Sequence, residues 1–134
     1  MAKTIELKIV TPERTLFSGE VETFTAPGEI GPFQVLFNHA AIVSKLKPGL
    51  LKFTKAGGGE EHFYVSGGFV ELHSNIGTVL ADSAEPSNEI NIREAEDEIA
   101  RLRQRYSDHE PGFTPDIYHD ALDAAMARLK VAQS

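Results

Sequence analysis

The stretch FYVSGGFVEL, residues 63 to 72, decides how this chain folds. Apolar side chains continue on both sides of Ser66-Gly67-Gly68, so the stretch reads as strand, tight glycine break, strand. Similar short runs surround it: EVETFTA (20 to 26), FQVLF (33 to 37), AIVSKL (41 to 46), LLKFTK (50 to 55) and TVLADS (78 to 83). At the start, Ile5, Leu7 and Ile9 alternate with Thr4, Glu6 and Lys8, which is the pattern of a half-buried strand. Turn chemistry separates the runs at Ser18-Gly19, Pro27-Gly28, Gly31-Pro32, Pro48-Gly49, Gly57-Gly58-Gly59 and Asn75 with Gly77. Short strands broken this often predict an antiparallel sandwich or flattened barrel rather than a βαβ sheet.

Near Glu85-Pro86-Ser87-Asn88 alanine and charge replace β-branched residues. Ile92, Ala95, Ile99, Leu102 and Tyr106 then fall on one helical stripe, with Asn91 as cap and Glu94 placed to close a capping box. The break SDHEPGFTP (107 to 115) ends in Thr114-Pro115, an N-cap followed by proline at the first helical position. A second helix follows, with Tyr118, Leu122, Ala125 and Leu129 as its inner stripe. The expected helices span about 92–106 and 115–131 and form an antiparallel hairpin, giving a β-sandwich unit at 1–85 and a hairpin unit at 86–134. Alanine buries little apolar area, so the hairpin is expected to dock weakly compared with the sandwich core.

Composition narrows the function. The 134 residues, 41% hydrophobic, suffice for one core and a small appendage, and the absence of cysteine removes disulfides, thiolate chemistry and cysteine-held zinc. That fits a reducing setting. A net charge of -7 disfavours nucleic acid and anionic lipid, and no apolar run is long enough to span a bilayer. The charge is uneven: residues 85 to 134 hold 11 acids against 6 Lys and Arg, and residues 1 to 84 hold 9 against 7. A protein surface is the expected partner.

Reactive constellations are missing. Ser66 lacks the glycine two positions earlier that a nucleophile elbow needs, since Tyr64 stands there, and GGGE (57 to 60) lacks the lysine and hydroxyl of a phosphate loop. Asp116, His119, Asp120 and Asp123 share a helix face, but an exposed helix rarely supplies the supporting hydrogen bonds of a metal site, and the face reads as solvated. His62 and His73 are lone strand residues, and His39 follows FQVLF-Asn38 in a chain reversal. No catalytic residue, metal or cofactor is expected.

The order of GPFQVLFNHA (31 to 40), KPGLLKF (47 to 53), YVSGGFVEL (64 to 72) and TVLADSAE (78 to 85), followed by a charged, alanine-rich helical pair, resembles the epsilon subunit of bacterial rotary proton-translocating ATP synthases over nearly the whole chain. The resemblance implies a ten-stranded antiparallel β-sandwich followed by a C-terminal helical hairpin. It implies a non-catalytic place on the central stalk, with the sandwich between the gamma subunit and the membrane c-ring, peripheral on the cytoplasmic face of the inner membrane. It further implies that the hairpin, by extending toward the alpha and beta subunits, inhibits ATP hydrolysis. Ser66-Gly67-Gly68 matches the family's turn between two core strands, where glycine permits positive φ and close backbone approach.

By the same resemblance Gly31, Phe33 and His39 are contact positions for gamma and the c-ring, although Pro32 and Gln34 depart from the family's pattern there. Members that bind ATP carry [IL]-D-x-x-R-A at the first helix, whereas this chain reads Ile90-Asn91-Ile92-Arg93-Glu94-Ala95. Glu94 stands where a triphosphate would need a cation, so no strong nucleotide site is expected. Two other classes stand beside this reading: a free-standing ligand-binding sandwich with the hairpin as lid, and a small hydrolase built on a carboxylate pair, which no motif of the chain supports.

Overall fold

The computed structural model describes residues 3–134; Met1 and Ala2, the first two residues of the expected sandwich unit, lie outside the described residues. The strands are β1 (Ile5–Val10), β2 (Thr15–Pro27), β3 (Pro32–Val35), β4 (Ile42–Leu46), β5 (Gly49–Lys55), β6 (Glu60–Val65), β7 (Gly68–His73), β8 (Ile76–Ala81) and β9 (Ala84–Pro86). A 3-10 turn at Ser87–Glu89 follows β9 and leads into α1 (Ile92–Ser107) and α2 (Pro115–Ala132).

The strands hydrogen-bond in the order β4-β7-β8-β1-β2-β5-β6-β9, with β3 beside β2. This continuous ladder wraps into two facing layers because β2 changes partners along its length. Thr15 to Val21 pair with β1, and Val21 to Thr25 pair with β5, with a register shift between Val21 and Thr23. Such a shift bends a strand and increases its twist. Nine strands are therefore found among the described residues where ten were expected, since the long bent β2 serves both layers. One pairing also departs from the antiparallel expectation: β1 and β8 run parallel, from Glu6 beside Ile76 to Val10 beside Leu80.

The core lies between the layers. Ile5, Leu7, Ile9, Val21, Phe24, Val35, Leu51, Val65, Val70 and Val79 have no solvent exposure. Phe53 packs between Phe17, tilted against it at 4.5 Å between ring centroids, and Phe63, stacked on it at 5.8 Å.

The glycine break is the crossing between the layers. β6 pairs with β5 and β9, whereas β7, which follows it immediately, pairs with β4 and β8. Gly67 and Gly68 have φ of 128° and 127°. A Cβ on Gly68 would stand 2.0 Å from the Leu80 carbonyl oxygen, so the backbone itself occupies the space. Ser66 ties the crossing down: its hydroxyl accepts from the Ser83 backbone N–H at 2.9 Å.

Both helix starts follow from their caps. Asn91 Oδ1 accepts from Glu94 N–H at 2.9 Å, and Thr114 Oγ1 accepts from Ile117 N–H at 3.3 Å. The Glu94 carboxylate is turned toward Arg128, 3.6 Å from its guanidinium, instead of back toward the cap as the capping box predicted. The partner offers a full charge, which the Asn91 backbone does not.

The hairpin seat is narrow. Tyr64, Ile90, Ala95 and Val131 form a small buried cluster, bordered by Leu50, Ala127, Leu129 and Ala132. On α2 the buried side chains are Tyr118 and Val131, so Val131, absent from the expected inner stripe, is the one that reaches the sandwich. At the far end of the hairpin Tyr106 stacks on Tyr118 at 4.1 Å, and the Arg105 guanidinium lies 4.1 Å from the centre of the Phe113 ring.

Candidate interaction surface and hairpin seat

Four outward positions of the β4-β7-β8 layer are large and apolar: Ile76, 52% exposed at the start of β8, and three more. Val43 is 72% exposed, Phe69 48% and Leu80 43%, while their strand neighbours Val70, Val79 and Leu46 point into the core. Register places Phe69 beside both Lys45 and Leu80, and Val43 beside Glu71. The result is an apolar stripe with charged neighbours. Ile30, fully exposed, extends it from the turn between β2 and β3, where a shallow depression is lined by Gly28 to Phe33 and Val43 to Lys45. Outward apolar residues on a strand that alternates are a signal of an interface, and the alternation in FVELH and TVLADS carried it.

Of the three expected contact positions, Gly31 and Phe33 line the same shallow depression and His39 is not among its lining residues. Gly31 precedes β3 with open space where a side chain would stand, Phe33 is half-buried against the core with its ring near Gly28, and His39 follows β3. His39 Nδ1 is 2.8 Å from the Ala40 carbonyl oxygen. Its loop is held by Asn38, whose N–H donates to Asn75 Oδ1 at 2.7 Å and whose Oδ1 accepts from Asn75 Nδ2 at 3.0 Å. Both asparagines have positive φ, 65° and 62°.

Beneath the hairpin, Arg128 joins three elements. It forms a two-pronged bond with Glu85 of β9, at 2.7 and 3.0 Å, and faces Glu94 of α1. The Glu85 carboxylate raises the Arg128 pKa, first through the hydrogen bond. Burial pushes the neighbouring Tyr64 phenol up. Ile90, Asn91, Glu94 and Ala95 are thus engaged in capping, packing and this ion pair. Next to the seat, between α2 and β5, is a cavity of about 740 Å³ lined by Pro27, Pro48, Leu50, Val131 and the exposed Lys47, Lys52 and Lys130. No cluster of three metal-ligating side chains occurs among the described residues, and no helix there is long and apolar enough to cross a membrane.

Residues 4–87 match the model of the ATP synthase delta/epsilon chain beta-sandwich domain. An ATP synthase epsilon chain of Dehalococcoides mccartyi is 42% identical over 99% of this chain and 94% of its own length, and one of Nitrosococcus oceani is 35% identical over 99% and 95%. A chain in the Euglena gracilis mitochondrial ATP synthase OSCP/F1/c-ring structure shares the fold with a TM-score of 0.79 at 19% identity, covering 98% of this chain and 80% of that one. Sequence and fold agree: the chain belongs to the family of ATP synthase epsilon chains.

Proposed function

We propose that this chain is a non-catalytic central-stalk subunit that links the gamma subunit to the c-ring and so couples proton flow to ATP synthesis. The observation that carries the reading is the exposed stripe of Val43, Phe69 and Leu80 with Ile30 on a rigid sandwich. It would be covered by gamma, while Gly31, Phe33 and His39 serve as contact positions toward gamma and the ring. The work is divided between a sandwich unit at 1–85 and a hairpin unit at 86–134. The assembly would sit peripherally on the cytoplasmic face of the membrane.

The hairpin acts as a two-state element. Its small seat favours release, and in the extended state it would reach the alpha and beta subunits and inhibit ATP hydrolysis. Arg128 and Lys130 are the basic residues it would offer there, and Arg128 becomes free only on undocking. The cavity beside α2 supports the rival reading of a ligand-binding sandwich with a lid.

Co-purification with gamma and the c-ring separates the two. Phe69→Asp should abolish it without unfolding the sandwich. Deleting residues 86 to 134 should raise the ATPase activity of the assembled complex, and an unchanged activity would refute the inhibitory role.

A further inference from the structure

β5 shows one face to each side. Leu51 and Phe53 are buried in the sandwich, so Leu50 and Lys52 stand on the outer face, toward the hairpin. α2 lies against β5 and β6, and beside it the cavity of about 740 Å³ stays open. Its walls are Pro27 and Pro32 where β2 passes into β3, Pro48 and Leu50 around the start of β5, and Ala127 and Val131 of α2. Lys47, Lys52 and Lys130 are exposed along its rim, and no carboxylate lines it. None of the three lysines is in an ion pair among the described residues, although the chain carries a net charge of -7. Glu60 is within reach of the Lys52 charge, but its carboxylate is already 2.6 Å from His62 Nε2. Glu85, Glu94 and Arg128 are not among the lining residues, so the cavity is separate from their ion pairs.

We propose that this cavity binds a long-chain carboxylate, with the chain between the proline wall and α2 and the head at the lysines. The walls select against other anions. Pro27, Pro32 and Pro48 have no N–H to offer a phosphate group, and no arginine lines the cavity to hold one by two bonds. β5 is already paired on both edges, by β2 and β6, so a peptide lying over it could not satisfy its backbone by adding a strand. An acyl chain has no such groups to satisfy. Its head would remain at the solvent edge, where ammonium groups on flexible stems can follow it. An apolar pocket of this volume with few polar groups suits a single small ligand.

Because the walls come from both the sandwich and α2, the bound chain would also hold the hairpin docked; that consequence rests on the two-state reading of the hairpin, whereas binding itself does not. The probe is dodecanoate, titrated by calorimetry into the full chain below its micelle concentration. It should bind at one site, and dodecylamine, of the same chain length and opposite charge, should bind at least about tenfold more weakly. Lys130→Glu should weaken dodecanoate binding about five- to tenfold. Thr25→Trp, which fills the cavity from β2, should abolish it, and Lys8→Gln, on β1 and outside the lining, should leave it unchanged. At ten times the dissociation constant, hydrogen exchange of α1 and α2 should slow by up to about tenfold. No saturable binding, equal binding of the two probes, binding that survives both Lys130→Glu and Thr25→Trp, or retention of the chain by phosphatidylglycerol vesicles without binding of dodecanoate would each overturn the site. Unchanged exchange with intact binding would overturn only the hold on the hairpin, and the co-purification test of the coupling role is independent of both.

Discussion

Arg128 lays its guanidinium along the carboxylate of Glu85, with Nε 2.7 Å from Oε2 and Nη2 3.0 Å from Oε1, and so joins the second helix to the last strand. Two parallel charge-assisted bonds fix orientation as well as contact. Glu85 is 37% exposed, so the pair contributes less than a buried one. Arg128→Ala also leaves Glu85 and Glu94 facing each other. It should weaken docking by about 1–2 kcal/mol, seen as faster tryptic cleavage at Arg101, Arg103 and Arg105, with the unfolding of the sandwich unchanged.

Gly68 tests the layer crossing. Gly68→Ala places a methyl group against the Leu80 carbonyl at a φ of 127° and should cost more than about 3 kcal/mol. Gly31→Ala meets nothing within 4 Å and should leave stability unchanged. Denaturant midpoints compare the two; equal losses would show that the crossing is not a tight backbone contact.

The strands were legible because Ile5, Leu7 and Ile9 alternate cleanly, and the helices because Asn91 and Thr114-Pro115 mark their starts. Partner choice was not. Nothing in SGG tells a hairpin turn from a change of layer, since both need glycine, and the parallel β1-β8 pairing joins segments far apart in sequence. The role of Val131 was hidden because it lies off the stripe through Tyr118, Leu122, Ala125 and Leu129, and which side of the helix meets the sandwich is set by how the hairpin sits.

Val131 and Phe24 should separate the two cores. Val131→Ala removes a side chain that is 2% exposed from the small seat and should loosen the hairpin by about 1–2 kcal/mol. Phe24→Ala empties the centre of the sandwich and should cost about 3–5 kcal/mol of global stability. Hydrogen exchange reads both: α1 and α2 alone should lose protection in the first variant, and the whole chain in the second.

Acid should act on the hairpin tip. Arg105 holds Glu110 by bonds of 2.8 and 3.0 Å, and the hydrogen bond lowers the Glu110 pKa. The stabilisation from a lowered carboxyl is present above its ordinary pKa and is lost as pH falls through the lowered one. Carboxyl ¹³C titration should find Glu110 below the usual glutamate range, and Arg105→Gln should return it to that range.

Nucleotide should leave the docked hairpin unchanged. Where an ATP-binding member of the family needs an arginine, this chain has Glu94, and that carboxylate already faces Arg128 at 3.6 Å. A triphosphate entering here would meet Glu94 and Glu85 and would have to displace both from Arg128, so like-charge repulsion opposes it. Calorimetry on the full chain should show no micromolar binding of ATP. Glu94→Arg should remove one repulsive charge and supply a cation, so measurable binding in that variant but not in the unsubstituted chain is the expected pair of results. Micromolar binding to the unsubstituted chain would mean that the Arg128 ion pairs open readily and that the seat is a ligand site after all.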